Sequence, residues 1–415
     1  MSREVPEGWQ QVTIGQVADI NPENLAANTA SDFLLKYIDV ATVGGPSVMS
    51  EPRLIAFAEA PSRARKKVQQ GDILVSTVRP YLRSFCKVSL RDSNLVASTA
   101  FAVLRSKTNV DGDFLYQHVL GDSFVKHLTP RMKGSNYPAV TASDVEAYDF
   151  LLPPLHEQRR IAEILSSVDE AIAATRAVIE QTKKVRSELL ASQFPLELEL
   201  DQDSTTGSGH FNGWKISPAS YVCTDIIDCK NRTPPLVERG YAVVRTPNVR
   251  NGRFHSAGLQ FTDPDSFREW TARGLPKSGD VLFTREAPYG EVCLAPVMEF
   301  CLGQRMMFLR PDLNKITSAY LVYALQSASV KKEMFRRAGG STVGHLRVKD
   351  VRDLPIPVAP MEQQLVIAKM LGALDQSVNE NSGALGGLET LKSALMSDLL
   401  TGRKRVTDTL PMAAE

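Results

Sequence analysis

The stretch PPLHEQRRIAEILSSVDEAI, residues 153–172, returns as APMEQQLVIAKMLGALDQSV, residues 359–378, at a fixed offset of 206. Pro154, Gln158, Ile161, Ala162, Leu165 and Asp169 reappear unchanged as Pro360, Gln364, Ile367, Ala368, Leu371 and Asp375. The register holds upstream without a gap, with Gly134-Ser135 returning as Gly340-Ser341 and Asp144-Val145 as Asp350-Val351. A period of this length has to be read before any single element, because each copy is a unit of fold. Further upstream the copies blur but keep their order. Gly8-Trp9 answers to Gly213-Trp214, Gly71-Asp72-Ile73-Leu74 to Gly279-Asp280-Val281-Leu282, and Phe114-Leu115 to Tyr320-Leu321. The chain reads as globular, helix, globular, helix.

Past the Pro153-Pro154 pair, which blocks a helix from running in from upstream, apolar or small residues recur at alternating steps of four and three. They are Ile161, Leu165, Val168, Ile172, Thr175, Ile179 and Thr182, and in the second copy Ile367, Leu371, Leu374, Val378, Asn381, Leu385 and Leu388. So narrow a seam marks a helix that pairs with another helix. Both copies then take a second consecutive step of three, to Val185 and Leu391, before a step of four to Leu189 and Leu395. This predicts a shared stammer, a local overwinding, and its presence in both copies predicts that the two helices pair with each other. Thr175 and Asn381 hold matched seam positions where Leu would pack better, so they are expected to fix register at a cost in stability. Gly383, Gly386 and Gly387 each weaken the second helix by roughly 1 kcal/mol relative to Ala, which makes it depend on its partner.

These boundaries divide the chain into a globular part (1–152), a helical region (153–194), a linker (195–212), a second globular part (213–356), a second helical region (357–402) and a tail (403–415). The linker PLELELDQDSTTGSGHFN is marked by its proline, acidic run and Ser/Thr/Gly cluster. Short apolar runs at 72–78, 100–104, 280–283 and 306–309 read as strands, and 113–128 and 318–335 as helices. The fold class is therefore α+β.

At 415 residues, 43% hydrophobic and 23% charged, the composition is that of a globular chain with room for two domains. The opening MSREVPEGWQ is polar rather than a leader and no run of apolar residues is long enough for a membrane, so a cytoplasmic location is expected. Five cysteines, odd in number and uneven between the halves, read as buried thiols. Charge is unequally distributed. Residues 215–353 carry 21 Lys and Arg against 14 Asp and Glu, residues 153–214 carry 6 against 10, residues 354–415 carry 5 against 7, and residues 1–152 balance at 16 each. A basic globular part can face phosphates; acidic helices cannot.

Several chemistries lack their residues. There is no GxxxxGK[ST] loop and no Gly-Lys pair at all, no GxGxxG after a strand, and no Asn-Pro-Pro-aromatic tetrapeptide for holding a flipped base. The six histidines show no metal spacing with each other or with cysteine. Asp228-Cys229-Lys230 matches half of a nuclease motif, a triplet expected by chance, and no Ser, His and Asp set recurs in both halves. No catalytic or metal-binding residue is assigned.

The two twenty-residue stretches, the opening VPEGWQQVTIGQVADI (5–20) and the near-terminal SALMSDLLTGRKRV (393–406) together resemble the specificity subunit of type I restriction-modification enzymes, over the whole chain and in order. The second copy departs in Met361 for Leu155 and Gln363 for Glu157, with Glu362 beside it. The resemblance implies a non-catalytic subunit whose two target-recognition domains each read one half of a bipartite, asymmetric site in double-stranded DNA. It implies helical spacers that pair as an antiparallel coiled coil about a pseudo-two-fold axis, set the distance between half-sites and dock two modification subunits. Those subunits carry S-adenosylmethionine; restriction subunits using ATP and magnesium complete the assembly. No cofactor is expected in this chain. A helix of about 38 residues is ~57 Å long at ~1.5 Å per residue, enough to hold two domains about one DNA turn, ~34 to 36 Å, apart.

Candidate DNA contacts combine Arg or Lys with small polar and aromatic residues in loops, since phosphate contacts position a protein while side-chain amides, hydroxyls and guanidinium groups read base edges. In the first half these are Arg79, Tyr81 and Arg83, with Arg131, Lys133, Gly134, Ser135, Asn136 and Tyr137. In the second they are Arg285 and Tyr289, with Arg337, Gly340, Ser341, Thr342 and His345. Two other classes stay open on the residues alone. A scaffold built on paired helices would show no salt-sensitive duplex binding, and an enzyme with scattered catalytic residues would turn over a substrate without partners.

Overall fold

Gln158 and Gln364 show why the repeat is sharpest where it is. Each is buried in the first turn of a long helix, Leu155–Gln193 and Met361–Leu399. The Gln158 Oε1 accepts from the Asp111 amide (2.8 Å), while its Nε2 donates to the carbonyls of Pro153 (2.8 Å) and Asn109 (3.3 Å). Gln364 repeats the arrangement with the Thr317 amide (2.8 Å) and the carbonyls of Ala359 and Lys315 (both 2.9 Å). One amide side chain thus satisfies backbone groups that the surrounding core hides from water. It ties each long helix to the loop that opens the domain helix, Gly112–Leu120 in one half and Ser318–Gln326 in the other.

The computed structural model describes residues 5–26, 28–43, 51–194, 197, 209–211, 213–341 and 344–406. The chain forms two compact units, 1–176 with 383–415 and 177–382. The first is built on an antiparallel sheet in the order Ala18–Ile20, Phe101–Ser106, Ile73–Ser76, Phe85–Lys87. The second has the same sheet from Cys223–Asp228, Met306–Pro311, Val281–Arg285 and Tyr289–Leu294. The matched Gly-Asp pairs lie where this sheet begins. Gly71 and Gly279 have φ of +92° and +91°, and Asp72 and Asp280 are buried, each taking the two nitrogens of Arg105 or Arg310 at 2.9 Å. A left-handed turn favours glycine, and a buried carboxylate needs its cation.

A smaller sheet diverges between the units. It has four strands in the first, Arg53–Ala56, Leu34–Ile38, Leu95–Ser98 and Ala64–Lys67, and three in the second, Gln260–Thr262, Tyr241–Val244 and Phe300–Leu302. Among the described residues, only the second unit adds a helix here, Pro264–Thr271. The expected helices at 113–128 and 318–335 are each two helices, because Gly121 (ψ 149°) and Ser327 (ψ 152°) are extended. Apolar spacing continues across such a break, which hides it from a periodicity reading. All five cysteines are free and buried, and burial pushes the Cys86, Cys223 and Cys293 thiols up to about 12. Among the described residues no helix is long and apolar enough to cross a membrane and no three-ligand metal cluster occurs.

Within each unit the start of one long helix packs against the end of the other, so the helices run antiparallel. In the first, Ile161 and Leu165 share a core with Leu395, Met396, Leu399 and Leu400; in the second, Ile367 and Leu371 share one with Leu189, Leu190 and Phe194. Ile172 and Ile179 are buried, and Val168, Leu374, Val378, Leu385 and Leu388 half-buried. The expected stammer does not form a seam: Val185 and Leu391 are 39% and 48% exposed. The inward position is instead one residue later. Arg186 donates to both Asp375 oxygens (2.6 and 3.3 Å) and Lys392 donates to Asp169. A count of apolar residues passes over cations that bury their stems and pair their heads.

These two interlocks are the same contact with the copies exchanged, since Arg186 and Lys392, like Asp169 and Asp375, are 206 apart. Thr175 and Asn381 do not reach across. Thr175 Oγ1 donates to the Ala171 carbonyl (2.7 Å) and Asn381 Nδ2 to the Ser377 carbonyl (2.8 Å), each four residues back on its own helix. Register is held by the ion pairs.

Candidate nucleic-acid interface

At one end of the central sheet of the first unit the two predicted loops come together. Val78 bridges Ala139, the Arg79 amide donates to the Pro138 carbonyl (2.8 Å), and Arg79 Nη2 donates to the Asn136 carbonyl (2.9 Å). The Arg79 guanidinium lies 5.1 Å from the centre of the Tyr137 ring, which is 73% exposed. A cation over an aromatic face, presented to solvent, is a platform for a base or a phosphate. Arg79 takes a left-handed conformation (φ +48°), and Arg83 another (φ +54°), a cost for a side chain with a Cβ that is typical of functional loops. Arg131, Lys133, Gly134, Ser135, Asn136 and Tyr137 are all exposed, as is Tyr81. Arg83 is turned inward, donating to the Leu120 carbonyl (2.9 Å) and to Asp122.

The second unit converges in the same way with different residues. Tyr289 Oη donates to the Ser341 carbonyl (3.2 Å), and the Leu346 amide to the Arg285 carbonyl (3.1 Å), as Val140 does to Thr77 (2.9 Å). Arg285 therefore matches Thr77, and Arg79 is matched by Ala287, also left-handed at φ +52°. Arg285 is 8% exposed and spends its guanidinium on the Leu346 carbonyl (3.0 Å) and on His345 Nε2 (3.2 Å). It supports the loop from within rather than facing solvent. His345 in turn sets Nδ1 2.7 Å from Glu286. Gly340 (φ +70°) helps end the helix Ala328–Arg337, whose half-buried Arg337 lies 3.6 Å from Glu333. Thr342 lies outside the described residues.

Residues missed by the sequence reading extend this end of the sheet. Gln304 Nε2 donates to the Asn231 carbonyl (3.4 Å), Arg305 is 3.3 Å from Glu286, and Lys230 and Arg232 flank the Trp270 ring at 4.8 and 5.0 Å while both pair with Glu269. Arg232, Gln304 and Arg305 are exposed. The signal was the run Lys230-Asn231-Arg232 after a strand, of which only Lys230 entered the sequence reading, as the end of the Asp228-Cys229-Lys230 triplet.

The chain matches the family described as the type I restriction modification DNA specificity domain over residues 6–184 and 243–385. Among curated proteins of Methanocaldococcus jannaschii, one named as the MjaX specificity subunit of a type I restriction enzyme is 22% identical over 97% of this chain and 95% of its own. The MjaVIII specificity subunit is 25% identical over 75% of each. A chain from a solved type I restriction-modification assembly superimposes with a TM-score of 0.55 at 25% identity, covering 97% of this chain and 100% of that one. The S subunit of a type I system from M. genitalium has the same fold, with a TM-score of 0.60 at 16% identity over 96% and 97%. With the matched regions covering most of both halves, this chain belongs to the type I restriction-modification DNA specificity family, as a specificity subunit.

Proposed function

We propose that each unit reads one half of a bipartite, asymmetric site in double-stranded DNA, through the loops gathered at one end of its central sheet. The observation that carries this is a contrast. The helix contacts repeat pairwise between the copies, whereas the loops keep their backbone course and change their side chains. Arg79 over Tyr137 stands in one unit, and Arg232, Gln304, Arg305 and His345 in the other. A shared frame with different reading groups fits two different half-sites. The paired helices then set the gap, and their outer faces dock two modification subunits, which supply S-adenosylmethionine; restriction subunits supply the ATP- and magnesium-dependent cleavage. This chain contributes recognition and no catalytic group.

Duplex binding tests the reading. The chain assembled with its modification subunits is expected to lose affinity steeply between about 50 and 200 mM salt. The double variant Arg232→Ala/Arg305→Ala is expected to lower the slope of log K against log salt by about 2, roughly 1 per phosphate contact removed. An unchanged slope would show that neither residue contacts a phosphate, and salt-independent binding would contradict the function itself.

A further inference from the structure

Asp375 joins three elements of the second unit. Its carboxylate takes Arg186 from the first long helix and the Tyr323 hydroxyl (2.9 Å) from the helix Ser318–Gln326. Its main-chain carbonyl accepts from Arg253, whose other terminal nitrogen donates to Asn379 Oδ1 (3.2 Å), one turn further along the second long helix. Arg253 belongs to a tight hairpin, Val249–Arg250 paired with Arg253–Phe254. The turn is Asn251-Gly252, both left-handed (φ +51° and +79°), the geometry that matches the twist of a two-residue hairpin. The hairpin cannot shift easily. A Cβ on Gly252 would meet Gln326 Nε2 at 2.9 Å, and Gln326 Oε1 accepts from Arg186 (2.8 Å). In the other unit the matching Asp169 takes Lys392 and Gln117 (2.9 Å), and among the described residues no hairpin cation joins them.

We infer that the Arg253 hairpin clamps the second recognition domain to the paired helices, making Arg253 a positioning residue for the gap between half-sites and not for the bases read. A planar guanidinium with two donors on one helix face fixes an angle as well as a distance. With it gone, the strand pair Trp214–Pro218 and Pro355–Val358 still joins the domain to the helix, but the domain gains freedom to swing. The inference rests on the reading that the helices set the gap.

The test uses the full chain with its modification subunits and duplexes carrying the natural site, found by mapping methylation. One series shortens or lengthens the gap by one base pair, and another substitutes single bases in the second half-site. Wild type is expected to reject the altered gaps. Arg253→Ala is expected to lose at least tenfold of that rejection with its penalties for wrong bases unchanged, Arg253→Lys to lie between, and Asn379→Ala, which leaves the arginine in place, to move the same way by less. Arg253→Ala and Asn379→Ala proteins that reject altered gaps as wild type does, or that lose base discrimination instead, overturn the clamp alone. A wild-type protein indifferent to gap length overturns the ruler reading, and the clamp with it.

Discussion

Replacing Glu157 by alanine is expected to cost the first unit about 3 to 5 kcal/mol, the usual penalty for stranding one partner of a buried ion pair. The Glu157 carboxylate is fully buried and accepts from Arg405 Nε (2.7 Å), Arg405 Nη2 (2.9 Å) and Trp9 Nε1 (3.1 Å). Arg405 also donates to the Glu7 carbonyl (3.0 Å), and Gly402 packs on Pro6 and Trp9. One side chain thus holds the start of the first long helix to both terminal segments of the unit. The second copy supplies its own control. There Gln363 accepts from Trp214 Nε1 (2.9 Å), and the residue 206 before Arg405 is Glu199, not a cation. Carboxylate and arginine come and go together. Glu157→Gln/Arg405→Leu is therefore expected to recover most of what Glu157→Ala loses, since the indole keeps its acceptor and no charge is stranded. Chemical denaturation checks both, and a Glu157→Ala protein within about 1 kcal/mol of wild type would contradict the assignment.

Lengthening the ruler should need both helices. Along each, the interlocking residues are 17 apart, 169 to 186 and 375 to 392. Four residues, ~6 Å of helix, inserted between Asp169 and Arg186 alone leave the other helix too short to meet both partners, so an ion pair breaks and assembly with the modification subunits is expected to fail. Matched insertions, one between Asp169 and Arg186 and one between Asp375 and Lys392, preserve both pairs. They are expected to lengthen the accepted gap by one or two base pairs, at ~3.4 Å per step, while the half-sites read stay the same. Methylation of duplexes with graded gaps measures this. An unchanged gap would separate the helices from spacing altogether.

The helices and the duplication were legible because an unbroken offset and a seven-residue period leave few other folds. The interlock was not, although Arg186 and Lys392 are in plain view at matched positions, because a long cation looks like surface until its carboxylate is known to face it. Gln363 read as a departure for the same reason: the meaning of Glu157 lies in Arg405, far off in the chain. In the candidate interface, the loops around Arg79 and Gly134 were picked out by their cations and glycines, and the structure brings the two loops together. Arg285 carried the right composition but a buried place, since its partner is a backbone carbonyl that no motif encodes. Lys230, Arg232 and Arg305 were passed over because the first half offers no counterpart to compare, which is what divergence at a reading surface would produce.

One chain is expected to read two different half-sites at one spacing. Mapping methylated bases across the genome of cells that express this chain with its modification subunit tests it most directly. One asymmetric bipartite motif with a single fixed gap is expected, vanishing when this chain is withheld. A palindromic motif, a motif with one half only, or methylation that persists without the chain would contradict it.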